Sequence, residues 1–331
     1  MVIMDSHRVG ESEGLTFYIA RPKDYDDVIA ISQDIYEGND YLPHRYHFWM
    51  TEPDRLVFIA RRGSKLVALE SSLIVDGGET VVVEGLRVCP SERGCGLAGV
   101  IQRFVDGYLK KTYPKLKKKR ITRQNVPGAE NMANFTFLAR RAILSLHGNS
   151  ESIDDFVTYL MAKLDSSDGS NTRHPLETGQ IKQNALMPVL LDPDLPSRLQ
   201  LPGGAIIQDW QPLKIIESNF EILARQNLSW FVDGFTEKPL FMSFHTPPYP
   251  IPLNGGSVRL NIDMFGTDVS LAKRALTAHL NTVKGEIKCG VVIHIFMHQS
   301  LWEDLRQFCE GHDGVKQWRE YWEQLFLERD I

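Results

Sequence analysis

Apolar and polar positions along the first half of the chain change period several times, and each change predicts an element. Residues 15–20 read as a strand. Pro22 and the acidic Asp24, Asp26 and Asp27 then open a helix whose apolar stripe is Val28, Ile29, Ile31 and Ile35. An aromatic-rich segment over 40–50 follows. Residues 56–61 and 66–75 are two strands split by a Gly63-Ser64 turn. Asp76-Gly77-Gly78 is a second hairpin signal, after which the β-branched run Val81 to Val83 lies in a strand ending at Val88. A tight turn leads into a helix over 97–109, then a strand over 120–125 and a helix over 130–140. Two short apolar segments, 142–146 and 156–164, read as closing strands.

Residues 165–180 are rich in Ser, Asp, Asn, Gly and Thr without apolar periodicity and read as a linker. Beyond it the pattern partly repeats. A strand over 205–210 precedes an amphipathic helix over 212–226, and hairpin-like segments lie around 240–244 and 258–265. A helix over 271–283, a strand over 291–296 and a terminal helical region complete the chain. The expected plan is a polar tail (1–14), a first domain (15–164), the linker, and a second domain (181–331), all of mixed α/β (α+β) class.

A length of 331 residues suits two domains, and 43% hydrophobic with 24% charged residues suits a soluble globular protein. The formal charge of −5 gives no global reason to expect a nucleic-acid partner. The basic run Lys115-Leu-Lys-Lys-Lys-Arg120 stands against that trend, as a solvated helix end or loop, or as a nucleic-acid patch or targeting signal. No apolar run is long enough to span a bilayer, and the N-terminus, with Asp5, His7 and Glu11, lacks the core of a signal peptide. A cytoplasmic location with reduced thiols is therefore expected. Cys89, Cys95, Cys289 and Cys309 have no metal-ligand spacing, and His44 and His47 lack partners, so no metal is expected.

The most informative stretch is Glu84-Gly-Leu-Arg-Val-Cys-Pro-Ser-Glu-Arg-Gly-Cys-Gly-Leu-Ala98, between the strand and the helix. Small residues there let backbone approach a ligand, and unpaired N–H groups at a helix start bind anions such as a pyrophosphate. A plain strand-to-helix connection would also read this way. The pattern is neither the dinucleotide fingerprint nor the P-loop. It resembles the acetyl-CoA loop of the GNAT acetyltransferases, Val-x-Pro-x-x-Arg-x-x-Gly-x-Gly/Ala, filled here by Val88, Pro90, Arg93, Gly96 and Ala98. The element order over 15–164 is also the GNAT order, and 181–331 resembles a second, degenerate GNAT-like domain. It lacks the loop: Phe265-Gly-Thr-Asp268 is a plain turn whose aspartate would repel a pyrophosphate.

The resemblance implies acetyl-CoA as co-substrate in a gap between splayed strands. It assigns the cofactor contacts to Leu86, Val88, Arg93, Gly94, Cys95, Gly96, Leu97, Ala98 and Gly99, with Asn131 at the pantetheine. The backbone of Val88 would hold the acetyl carbonyl. Glu84, four residues before Val88, stands where the family often keeps a base, a task suited to a buried glutamate of raised proton affinity. A salt bridge or a solvent-facing position is its plainer role, and Glu70 is the second candidate. Asn131-Met-Ala-Asn-Phe-Thr-Phe137 resembles the family's Asn-x-Ala-x-x-x-Tyr helix, but Phe137 replaces the Tyr that protonates the thiolate, leaving Tyr159 or water for that task.

The segment Ile35-Tyr-Glu-Gly-Asn-Asp-Tyr-Leu-Pro-His-Arg-Tyr-His47, with the long second half, resembles the vertebrate histidine N-acetyltransferases within that superfamily. That resemblance implies transfer to the α-amine of free L-histidine. Glu37, Asp40, Tyr41 and Arg45 would form the acceptor site, with Arg45 or Arg87 meeting a substrate carboxylate. An amphipathic helix capped by Asp40 and anchored by Trp49 accounts for the same residues. Acetylation of another amino acid, a polyamine or a protein amine, and a CoA-binding pseudoenzyme, stay open. Oligomeric state is not legible.

Overall fold

In the computed structural model, residues 7–33, 35–124, 133–167, 183–233 and 238–331 are described. They group into two compact units, Met1–Ile121 with Glu328–Ile331, and Thr122–Leu327. Most of the expected linker, and Asn131, lie outside the described residues.

The first unit is a sheet built in sequence order. Strands β1 (Arg8–Ser12), β2 (Leu15–Ile19), β3 (Arg55–Arg62), β4 (Lys65–Val75) and β5 (Thr80–Val88) pair antiparallel, each with the next. β6 (Lys118–Arg123) pairs parallel with β5 after the crossover helix α3 (Leu97–Thr112). Alternation in β3 separates the two faces. Val57 and Ile59 meet α1 (Tyr25–Ile31) and α2 (Leu42–Trp49), while Phe58 and Ala60 meet Leu97, Ile101, Val105 and Leu109 of α3. The i, i+4 spacing of those four α3 side chains forms its buried stripe. Part of the supposed polar tail is β1: a turn at Glu13-Gly14, with φ of 48° and 73°, folds it back on β2.

The basic run divides: Lys115 and Lys117 are exposed, as in a solvated loop, whereas Lys119 and Arg120 are buried. Lys117 to Arg120 enter β6, and carboxylates take up all four: Lys117 Nζ meets Glu79 at 2.8 Å and Lys118 meets Asp330 at 2.8 Å. Lys119, 1% exposed, meets Asp106 at 2.6 Å and Glu70 at 3.7 Å. Arg120, also 1% exposed, meets Asp76 at 2.7 Å and Glu328 at 2.8 Å. Arg329 pairs with the same Asp106, so residues 328–330 are bound into this unit by charge. A buried cation without its partner is strongly destabilising.

In the second unit the sheet order is β15 (Val315–Asp330), β7 (Thr136–Gly148), β14 (Gly290–Met297), β13 (Ser257–Phe265), β11 (Met242–His245) and β10 (Ser229–Val232). The last residues of β15, from Glu328, belong to the first unit. β12 (Tyr249–Ile251) also pairs with β13, and β8 (Ala205–Gln208) with β9 (Gln211–Lys214) forms a separate hairpin. One sheet face, including Leu144, Ile262 and Ile293, packs on α4 (Ser150–Ser167), α8 (Val269–Val283) and α9 (Trp302–Cys309). The short helices α5 (Gln183–Leu190), α6 (Leu195–Arg198) and α7 (Phe220–Ala224) fill connections.

Four expectations need correction here. Where described, the helix over 130–140 is a turn and then the start of β7, whose residues 142–148 pair with β14. The strand over 156–164 is α4, because Ile153, Phe156, Val157 and Leu160 recur at helical spacing and are buried together. The helix over 212–226 is β9 plus α7, since Gln211–Lys214 finds a partner in β8. The terminal helical region holds α9 and then a 16-residue strand, β15.

Two predictions follow from these buried groups. Asp106→Ala should lower the unfolding free energy by about 1–3 kcal/mol in urea titrations, because it removes the carboxylate shared by Lys119 and Arg329 and leaves Lys119 only Glu70 at 3.7 Å. His245 of β11 donates or accepts at 2.7 Å to His279, and burial pushes it from the ordinary 6.5 down to about 4. The unfolded chain therefore takes up this proton first, so stability should fall as pH drops from 6.5 to about 4. His245 accounts for about 3 kcal/mol of that loss, measurable as a falling urea midpoint.

Candidate active site

The β4–β5 ladder is in regular antiparallel register except at one point. Leu69 faces Arg87 and Ser71 faces Glu84, so Gly85 and Leu86 together oppose Glu70. This is a β-bulge, and Gly85 has φ of 68°. Trp49 of α2 packs on it so closely that a Cβ there would lie 2.6 Å from the indole ring. In an unbroken strand, residues 84 and 87 would point to opposite faces. The extra residue turns both toward α1 and α2, while Leu86 and Val88 pack toward α3.

The other edge of β5 is open. Its parallel pairing with β6 covers Thr80–Val83 and stops, leaving Glu84–Val88 joined to β4 alone among the described residues. Cys89 N–H donates to the Val67 carbonyl across the β4 ladder at 2.9 Å. Alternation then aims Val88 N–H at the open edge. Arg93 Nε donates to the Val88 carbonyl at 3.1 Å and its Nη2 to the Gln33 carbonyl at 3.2 Å, fixing the following turn beside that edge.

The turn itself presents a row of backbone N–H groups. Gly94 and Gly96 have φ of 81° and 77°, and a Cβ on either would meet nothing within 4 Å, so this backbone faces open space. Among the described residues, no acceptor in the chain takes the N–H of Gly94, Cys95, Gly96, Leu97 or Ala98. Gly99 N–H returns to the Gly96 carbonyl at 3.0 Å as α3 begins. Five adjacent free donors at a helix start suit a pyrophosphate.

Ionisable side chains gather on the face toward α2. Glu84, with its side chain 10% exposed, pairs with Arg55, which also pairs with Glu52 and donates to Ser71 Oγ at 2.7 Å. Burial opposes the Arg55 charge, but Glu84 and Glu52 outweigh it, so this guanidinium is held protonated. Arg87 Nη2 donates to Asp40 Oδ1 at 2.7 Å, and that same oxygen accepts Leu42 N–H at 3.1 Å. The rings of Tyr36 and Tyr41 lie 5.2 and 5.4 Å from the Arg87 guanidinium carbon. Burial is the main reason that the Tyr41 hydroxyl holds its proton far above the ordinary tyrosine range. Tyr36 and Glu37 both have left-handed backbone, φ 52° and 57°, a costly conformation that clusters at ligand sites.

The chain is similar to named proteins over nearly its whole length. A protein of Scomber australasicus named histidine N-acetyltransferase is 38% identical over 96% of this chain and 94% of its own. One from Oreochromis niloticus with the same name is 36% identical over 96% and 94%. The chain belongs to the histidine N-acetyltransferase family. The family model "Histidine N-acetyltransferase, C-terminal" matches residues 175–298, and a human protein named "Probable N-acetyltransferase 16" is 39% identical over 97% of this chain and 87% of its own. The fold is the GNAT fold. A yeast N-myristoyltransferase with bound myristoyl-CoA superposes with TM-score 0.57 at 13% identity, covering 98% of this chain and 80% of that one. A GCN5-related N-acetyltransferase from Sphaerobacter thermophilus gives 0.50 at 9%, covering 97% of each.

In this histidine N-acetyltransferase family member, the bulge, the open edge and the turn bring Glu84, Leu86, Val88 and Arg93 to Gly99 together. Asp40 and Tyr41 stand at Arg87 and Glu37 on the exposed turn before them, whereas Arg45 lays its guanidinium over Phe48 at 5.7 Å. Phe137 lies on β7, exposed, and the Tyr159 hydroxyl donates to the Glu310 carbonyl at 2.7 Å. Sequence reasoning missed Arg55, Glu52 and Tyr36. The signal for Arg55 was a charged residue opening an otherwise apolar strand.

Gly85→Ala should abolish the bulge geometry, through both the left-handed φ and the Trp49 contact. The expected loss is at least about 2 kcal/mol of stability, seen in thermal unfolding. A Tm equal to that of the unaltered protein would show that the bulge is not fixed by Trp49.

Proposed function

We propose that this chain transfers the acetyl group of acetyl-CoA directly to the α-amine of free L-histidine, giving N-acetyl-L-histidine. The observation that carries this reading is the open, bulged end of β5, flanked by a free N–H cradle on one side and a buried ionisable cluster on the other. The names of the fish relatives support histidine as the acceptor.

Acetyl-CoA supplies an activated acyl thioester. The N–H groups of residues 94–98 bind its pyrophosphate, and small residues at 94, 96 and 98 allow the close approach. Leu86 and Val88 line the open edge, where Val88 N–H donates to the acetyl carbonyl and stabilises charge developing on that oxygen. Cys95, Leu97 and Gly99 complete the start of α3. Glu84 accepts the proton of the attacking amine, directly or through one water, while the new C–N bond forms, the C–S bond breaks, and CoA leaves as a thiolate that water protonates. Arg55, Ser71 and Glu52 hold its carboxylate still, which preserves the attack geometry. Asp40, Tyr41, Glu37 and Arg45 border the acceptor, with aromatic rings suited to a planar imidazole.

CoA release should be followed with acetyl-CoA and each free amino acid in turn. Turnover is expected with L-histidine far above the others. Glu84→Gln should lower kcat by roughly 100-fold or more while leaving acetyl-CoA affinity nearly unchanged. Binding of acetyl-CoA without turnover of any free amino acid would sink the reading.

A further inference from the structure

Of the groups beside Glu84, Arg87 has unused hydrogen-bonding capacity in the position a substrate needs. Its side chain is 2% exposed and permanently charged. Nη2 is spent on Asp40 at 2.7 Å and Nη1 reaches the carbonyl of Leu86 at 3.2 Å. Nε is buried and has no hydrogen-bond partner in the chain. A charged donor left unsatisfied in the interior is costly unless a ligand completes it. Two further buried donors on the same face of the sheet are also unsatisfied, Arg55 Nη2 and Trp49 Nε1. The Arg55 guanidinium lies 5.1 Å from the Trp49 ring, and Trp49 meets Tyr41 at 6.1 Å, so these groups form a continuous wall from Arg55 to Arg87.

All three unsatisfied atoms are donors, and two belong to cations. The wall therefore calls for an anionic acceptor. Glu84 and Arg87 are brought to one face by the bulge, as groups that meet the amine and the carboxylate of one amino acid must be. We infer that Arg87 is the specificity-determining residue for the α-carboxylate of the acceptor, restricting the enzyme to free amino acids. Asp40 is its positioning residue, since one carboxylate oxygen fixes both the guanidinium and the start of α2. Tyr36 and Tyr41 lie over the Arg87 guanidinium, and the burial of Arg87 and Asp40 strengthens their attraction. The assignment of the substrate carboxylate thus moves from Arg45 to Arg87. It rests on the proposed acetyl transfer to an amino acid.

The test compares L-histidine, L-histidine amide and histamine as acceptors, with the unaltered protein and with Arg87→Lys. Lysine keeps the charge beside Asp40 but lacks the planar fork. The unaltered protein should prefer histidine to both carboxylate-free analogues by roughly 100-fold in kcat/KM. Arg87→Lys should raise the KM for histidine by roughly 10-fold or more without changing the KM for acetyl-CoA. The preference over histamine should shrink by the same factor, which a purely structural role would not produce. Histamine turned over as well as histidine by the unaltered protein overturns the assignment and leaves the acetyltransferase reading standing. An undiminished preference in Arg87→Lys also overturns it. Failure with every free amino acid removes the acetyltransferase reading and this assignment together.

Discussion

The site depends on one inserted residue in one strand. The bulge at Gly85–Leu86 does three things at once: it changes which face Glu84 and Arg87 share, it admits the Trp49 ring against backbone, and it coincides with the end of pairing to β6. Each requires the others. Had β5 remained regular, Arg87 would point toward α3 and away from Asp40. Had β6 continued alongside, Val88 N–H would be consumed by the ladder. Glycine is required because both the left-handed φ and the indole contact exclude a side chain.

A second constraint is that most of the buried cations in the first unit are neutralised in place. Arg55, Arg87, Lys119 and Arg120 are almost wholly inaccessible, and each is paired with at least one carboxylate. Such pairs add little net stability over apolar packing. Their effect is geometric: removing one member leaves the other uncompensated, so the positions of neighbouring backbone segments are strictly specified. The pairs at Lys119 and Arg120 fix β6 relative to α3 and to residues 328–329, while those at Arg55 and Arg87 fix the acceptor wall. The first set lies where β6, α3 and the chain end meet, and the second lies on the face toward α2.

Much of this arrangement was legible. The first five strands after residue 14, α3 and the turn at 93–98 follow from alternation, from the i, i+4 stripe at Leu97, Ile101, Val105 and Leu109, and from glycine placement. The bulge was not, because a single inserted residue leaves the alternation Val81–Val83 intact and shows only in the partner register. The basic run was misjudged for a related reason: its charges look solvated until the chain brings Asp76, Asp106 and Glu328 to them. β15 reads as helical locally, with Trp318, Tyr321, Trp322 and Leu325 at near-helical spacing, and becomes a strand only where neighbouring strands accept its backbone.

The two units show how little separates a binding strand from a structural one. In each, an antiparallel strand precedes a strand–helix–strand crossover: β4, β5, α3 and β6 in the first, and β11, β13, α8 and β14 in the second. β13 keeps one register with β11 and pairs with β14 from Ser257 to Asp263, so no comparable edge opens. After it, Asp268 Oδ1 accepts Leu271 N–H at 2.8 Å and caps α8 with the protein's own carboxylate. That carboxylate occupies the position an anion would need and repels one electrostatically. The same topology thus leaves backbone donors free where its strand is interrupted and its helix uncapped, and caps its helix with its own carboxylate in the second unit. Those unsatisfied backbone groups at β5 are what the proposed function draws on.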